Sequence, residues 1–241
     1  MATWVTHLMI ADALLKIHPE LNRRGFCVGN IAPDCNVENA DWSAFTPPRA
    51  VTHWMQGERK KASDCDEFCR QYILARDPRP VGEEYAFLLG YYAHLIADAE
   101  FQRMIRDPER VHAAWIRLQA APEIQTGGVE ESWDNVKRLI PKGRRMAGIY
   151  TMEAEYLQQH PDSGFLTEIL PLKEFPDYID YLPQGAIVRK IGVMGLVPEA
   201  DPAGDFLAMS REEYAAFVSG AVRLTAEKFR KMGLCCVNAE I

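Results

Sequence analysis

YAFLLGYYAHLIADAEF, residues 85–101, decides how the rest of the chain is read. Its apolar run from Tyr85 to Ala97 is 13 residues long and is bounded by Glu84 and Asp98. A bilayer needs about 20 such residues, so the run reads as a buried core helix over about Glu83 to Ile105. His94 and Asp98 interrupt its apolar face. Four residues apart on a helix, they lie one above the other on the same side. Burying two ionisable groups costs several kcal/mol or more unless something pairs with them. Two arrangements answer that cost: a hydrogen-bonded His–Asp pair inside the core, or a shared cation that offsets the Asp98 charge and takes the His94 lone pair.

Helical periodicity dominates on both sides of this segment. Residues 3–17 read as an amphipathic helix with Met9, Ile10, Ala13, Leu14 and Ile17 on one face. The N-terminus has no basic leader, its apolar run is interrupted by His7 and Asp12, and it shows no cleavage pattern, so no signal segment is expected. Residues 25–51, punctuated by Gly, Pro and Asn, read as a long structured loop of the kind that is often functional. A second helix is expected from near Val51 to Leu74, opened by His53, with a linker over residues 75–84. Asp107 is placed as N-cap and Pro108 as the first residue of the next helix. Further helices are expected over Glu130–Leu139, Met146–Gln159 and Arg211–Met232, the last closed by basic residues and Gly233. Residues 171–205 read as loop with short helices. The expectation is an all-α protein, one domain over residues 1–241.

The 241 residues carry a net charge of −7, which argues against a general binder of nucleic acid or anionic membrane. The cysteines at 27, 35, 65, 69, 235 and 236 form no CxxC pair and read as reduced, mostly buried thiols of a cytoplasmic protein. Their spacings do not suit a zinc site. No GxSxG, GxGxxG or Walker lysine loop is present. The lone Glu109-x-x-His112 unit falls short of the two that a di-iron bundle needs. No adjacent His-Asp pair occurs, which counts against an HD-type phosphohydrolase. VKRLIPKGRR, residues 136–145, reads as a solvated basic face, with phosphate binding as the sharper alternative. Glu131 and Asp134 flank Trp133 with no spacing that assigns them to a site. His18 and His160 each precede a proline and read as solvated.

The remaining chemistry-bearing residues are Asp34 in GNIAPDC, His53 in VTHWM, and His7, three residues after Trp4. Carboxylate oxygens with neutral imidazoles suit Zn²⁺ or a similar divalent ion. The ordered set Trp4, His7, Asp34, His53, His94 and Asp98, with FCVGNIAPDC, VTHW and FLLGYYAHLIAD around it, resembles the zinc-dependent phospholipase C family, which shares its helical fold with the single-strand-specific fungal zinc nucleases. The resemblance covers about residues 4–101.

It implies a first metal held by Asp34, His53, His94 and Asp98. His7 would join Asp98, as a bridging carboxylate, at a second. It also implies one or two Zn²⁺ ions, ~3.5–4 Å apart when paired, and a metal-activated water attacking a small phosphoester or a phospholipid head group. Asp34 is the candidate general base. Two departures stand out. Trp4 follows Met, Ala and Thr where the secreted members use a mature N-terminal Trp amine, and it reads as a core anchor. No His follows Asp98 near the family's third-ion position, so a trinuclear cluster is not expected. The alternative is a non-catalytic helical protein with one structural metal or none, acting through a partner surface. An open coordination position separates the two readings.

Overall fold

The computed structural model describes residues 2–56, 63–77, 80–200 and 205–234. Cys235 and Cys236 lie outside them. The expected core helix is α5, Gly82–Met104, and every residue from Ala86 to Asp98 on it is buried. Around it stand α1 (Trp4–Ile17), α2 (Arg23–Gly29) and α10 (Arg211–Lys231). Thr3 caps α1 by accepting from the Thr6 N–H. Ser210 and Glu213 form a reciprocal capping box at the start of α10. Asp107 caps α6 (Pro108–Gln119), with Pro108 in its first turn, as the spacing predicts. A connected set of buried apolar residues runs from Ala2 to Phe229, with a smaller cluster around Trp115, Leu118, Val136 and Ile140. The fold is all-α: the strands among the described residues are the two-residue β1 (Val37–Glu38) and β2 (Phe45–Thr46), paired antiparallel with Val37 opposite Thr46. No helix among them is long and apolar enough to cross a membrane.

Three expectations need correction. The stretch 25–51 is not simply loop: it begins inside α2 and continues through a 3₁₀ turn over Ala32–Asp34. The glycines that mark a loop in the sequence serve close packing here. A methyl group at Gly29 would collide with the Phe87 carbonyl, and one at Gly90 with the Phe26 carbonyl, so α2 and α5 touch backbone to backbone. The helix expected over Val51–Leu74 is broken. A single turn, α3 (Arg49–Thr52), ends at His53, which caps its C-terminus instead of opening a helix. Trp54 follows with φ of 52°, outside helical space. Helix resumes as α4 (Cys65–Cys69) and runs into a π turn over Arg70–Leu74. Finally, His18 is fully buried, its ring tilted against Phe229 of α10 and its Nδ1 3.1 Å from Glu20.

The second half supplies α7 (Trp133–Leu139), α8 (Lys142–Gln159) and α9 (Ala186–Met194). α8 starts four residues before the expected Met146. Buried Lys190 of α9 pairs with Glu38 at 2.6 Å, fastening α9 to the small sheet. Cys27, Cys35, Cys65 and Cys69 are buried free thiols.

Candidate metal centre

Four segments converge beside the middle of α5. α5 itself brings His94 and Asp98, α1 brings His7, the 3₁₀ turn after α2 brings Asp34, and the end of α3 brings His53. All five side chains are buried, at 0–8% exposure. His53 Nε2 lies 3.3 Å from Asp34 Oδ1, 3.4 Å from His94 Nε2 and 3.6 Å from Asp98 Oδ2. His94 Nε2 is 3.9 Å from the same Asp98 oxygen. On the other side, His7 Nε2 is 3.7 Å from Asp98 Oδ1, and the His7 ring stacks on His94 at 3.8 Å. Two overlapping donor sets result, Asp34–His53–His94 and His7–His94–Asp98. Within each set the donor atoms lie within 4.8 Å of one another.

The hydrogen bonds around the rings fix which nitrogens carry lone pairs. His94 Nδ1 lies 2.7 Å from the Asn30 carbonyl, which only accepts, so Nδ1 donates and Nε2 presents its lone pair. The Thr52 hydroxyl donates to the Arg49 carbonyl at 3.3 Å, leaving its oxygen to accept from His53 Nδ1 at 2.9 Å. His53 Nε2 is then also a lone pair, and it accepts from Arg49 at 2.9 Å. The Thr52 carbonyl is held in turn by the Tyr91 hydroxyl, one helical turn before His94. One helix therefore carries two of the five groups and anchors the loop that carries a third.

The electrostatics match this assignment. Burial and the adjacent His7 push His94 down to about 3, so its ring is neutral at ordinary pH. Burial works against the Asp34 charge, but its contact with His53 and the neighbouring His94 and Arg49 outweigh it, holding the carboxyl below its usual range. Asp98 is likewise held well below, burial being outweighed chiefly by its contact with His7.

The donor set fits a divalent ion on two counts. In a tetrahedral zinc site with bonds of about 2.0–2.1 Å, neighbouring ligand atoms are about 3.3–3.4 Å apart. The 3.3 and 3.4 Å separations around His53 match that edge. Moreover, both nitrogens of fully buried His7 lack a hydrogen-bond partner, and a cation beside Asp98 Oδ1 would supply a partner for Nε2.

Two residues here are absent from the sequence reading. Arg49 reaches in from solvent, its side chain 36% exposed, and places its guanidinium 3.2 Å from Asp98 Oδ2 and 3.7 Å from Asp34 Oδ1. Its position four residues before His53 was the available signal. Glu153 of α8 is buried against the first turn of α1, where Oε1 accepts from the Thr6 N–H at 2.9 Å and from the hydroxyls of Thr3 and Thr6. Burial raises its pKa. Trp4 is buried in the core, and the Ala2 N–H donates to Asp98 Oδ1 at 3.1 Å. Glu131 and Asp134 are not part of the cluster: Glu131 meets exposed His112 at 3.1 Å, and Asp134 pairs with Lys137.

Comparison with curated proteins and with solved structures found no match. The family model described as zinc dependent phospholipase C matches residues 6–100, the segment that carries all five converging side chains. Over residues 6–100 this chain is thus similar to the zinc-dependent phospholipase C family.

Proposed function

We propose that the protein is a zinc-dependent hydrolase of phosphoesters, with Asp34, His53, His94 and Asp98 holding one ion and His7, with Asp98, a second. The observation that carries the reading is the convergence of these five side chains, one of which, Asp34, lines a groove of about 730 Å³. A purely structural zinc is closed off by its protein ligands. Here a third-exposed arginine and a ligand-sized groove adjoin the donor set.

A bound divalent ion supplies Lewis acidity toward phosphoryl oxygens and a depressed pKa for water. The chain supplies the rest. The Asn30 carbonyl and the Thr52 hydroxyl hold two imidazoles in their ligating tautomers. Asp34, kept ionised by its surroundings, is the base positioned to take a proton from the attacking water. Arg49 presents its guanidinium beside the two carboxylates, where it meets the negative charge of a phosphoryl group.

The test is elemental analysis together with turnover. Wild-type protein purified without chelator is expected to carry one or two zinc ions per chain and to hydrolyse a phosphodiester such as bis(p-nitrophenyl) phosphate. His94→Ala and Asp98→Ala lose both properties. Wild-type protein free of divalent metal overturns the site. Bound zinc with no turnover on phosphodiesters and phosphomonoesters overturns the catalytic reading and leaves a structural metal.

A further inference from the structure

Asp34 lines a groove that α8 also borders, and it is the one lining residue that falls within the matched family segment. Phe101 of α5, Ile105 just after it, and Met146 and Ile149 of α8 line the groove, together with the chain leaving α9. Nine large apolar side chains are exposed among the described residues, and four of them, Tyr150, Met194, Leu196 and Val197, border this one groove. Concentrated apolar exposure of this kind marks a surface that is covered in use.

Its charges are as uneven as its apolar residues. Lys142 and Arg145 line the groove three residues apart on α8, hence on one face. Neighbouring cations are neutralised: Lys137 pairs with Asp134, and Arg144 pairs with Glu123 and Asp205. Among the described residues Lys142 and Arg145 have no such partner. Arg145 Nε is also buried with no hydrogen-bond acceptor. Glu199 also lines the groove, as does Glu153, on the same helix as the two cations. At 1.5 Å per residue, Arg145 and Lys142 lie about 12 and 16 Å along α8 from Glu153.

We propose that this groove binds the remainder of the substrate: an amphipathic phosphoester whose apolar portion lies along α8 and whose second negative group is held by Lys142 and Arg145. The phosphoester end rests on the reading of the preceding section; the apolar and anionic end does not. The groove is concave, meets the carboxylate–imidazole cluster at Asp34 and carries two cations, Lys142 and Arg145, that no acid among the described residues pairs with. These features together fit a small amphiphilic anion better than a flat protein partner. A substrate with a cationic group at that end meets two like charges.

The probes are dodecanoate, dodecylphosphonate and an ω-phosphonododecanoate carrying both groups, used as monomers in solution. Binding is read by calorimetry and by the fluorescence of Trp4 and Trp133, both in the lining. The zinc-loaded protein is expected to bind the two-headed probe more tightly than either single-headed one. In Lys142→Gln/Arg145→Gln, dodecanoate binding weakens by about tenfold or more, as two charge-assisted hydrogen bonds are lost. Dodecylphosphonate is little affected, and an unchanged circular-dichroism spectrum confirms the fold. Chelation removes only the phosphonate contribution. If chelation changes nothing while dodecanoate still depends on Lys142 and Arg145, the metal reading fails and this proposal stands. Dodecanoate that fails to bind, or binds the double variant equally well, overturns the proposal. So does a dimer that Leu196→Glu converts to monomer, which would make a second copy the occupant.

Discussion

Replacing Arg49 by Gln tests the electrostatic logic of the site most directly. The guanidinium touches Asp98 Oδ2 at 3.2 Å, His53 Nε2 at 2.9 Å and Asp34 Oδ1 at 3.7 Å, three of the atoms that a divalent ion would need. Removing the cation from a buried ion pair costs about 3–5 kcal/mol. The Arg49 side chain is 36% exposed, so solvent screens part of that, and about 2 kcal/mol is a reasonable expectation. That loss falls on the metal-free protein. In the zinc-loaded protein the ion itself compensates Asp34 and Asp98, and the variant costs little. A thermodynamic cycle then requires zinc affinity to rise by the same amount, about 30-fold for 2 kcal/mol. For a chain of this length 2 kcal/mol is about 4–8 °C in Tm. The assay is thermal unfolding of wild type and Arg49→Gln, each in EDTA and in zinc, with zinc affinity measured by competition with a chelating dye. Equal destabilisation in EDTA and in zinc, or weaker zinc binding by the variant, refutes the idea that Arg49 and the metal answer the same charges.

Thr52→Val removes the acceptor for His53 Nδ1 and is expected to weaken zinc binding about 10–100-fold, with Thr52→Ser close to wild type, by the same dye competition. Gly90→Ala drives a methyl group into the Phe26 carbonyl and is expected to cost about 1–3 kcal/mol, read as a lower urea midpoint at unchanged m-value. Burial raises the Glu153 pKa above its ordinary value near 4.5, so between that value and the raised one the folded state binds more protons than the unfolded. Stability then falls as pH rises through this window. Tm measured against pH should show that decline in wild type and lose it in Glu153→Gln.

What could be read from residues alone followed from how local each signal was. α5 was legible because its apolar run is long and bounded by charges, and the His94–Asp98 pair because both residues share one helix face. Asp34, His53 and His7 reach the cluster from three other segments, and only the resemblance joined them to it. α2 was hidden by Gly25 and Gly29, which mean a turn by composition but close helix contact in three dimensions. The break after His53 depends on a left-handed Trp54, a conformation that no residue preference signals. Arg49 escaped notice because its partners are buried groups brought from distant parts of the chain. The basic stretch 136–145, read as one solvated face, proves heterogeneous: Lys137 and Arg144 are neutralised by acids, whereas Lys142 and Arg145 face an apolar trough.

The glycine contact between α2 and α5 has a chemical consequence. Asn30, whose carbonyl steadies the His94 ring, directly follows α2, and its backbone N–H bonds to Phe26, the residue whose carbonyl abuts Gly90. The gap between two backbones therefore sets where an imidazole stands one turn further along α5. In the proposed site, a substitution that wedges these helices apart would shift a metal ligand as well as loosen the interior, so fold stability and affinity for zinc are expected to decline together along this seam.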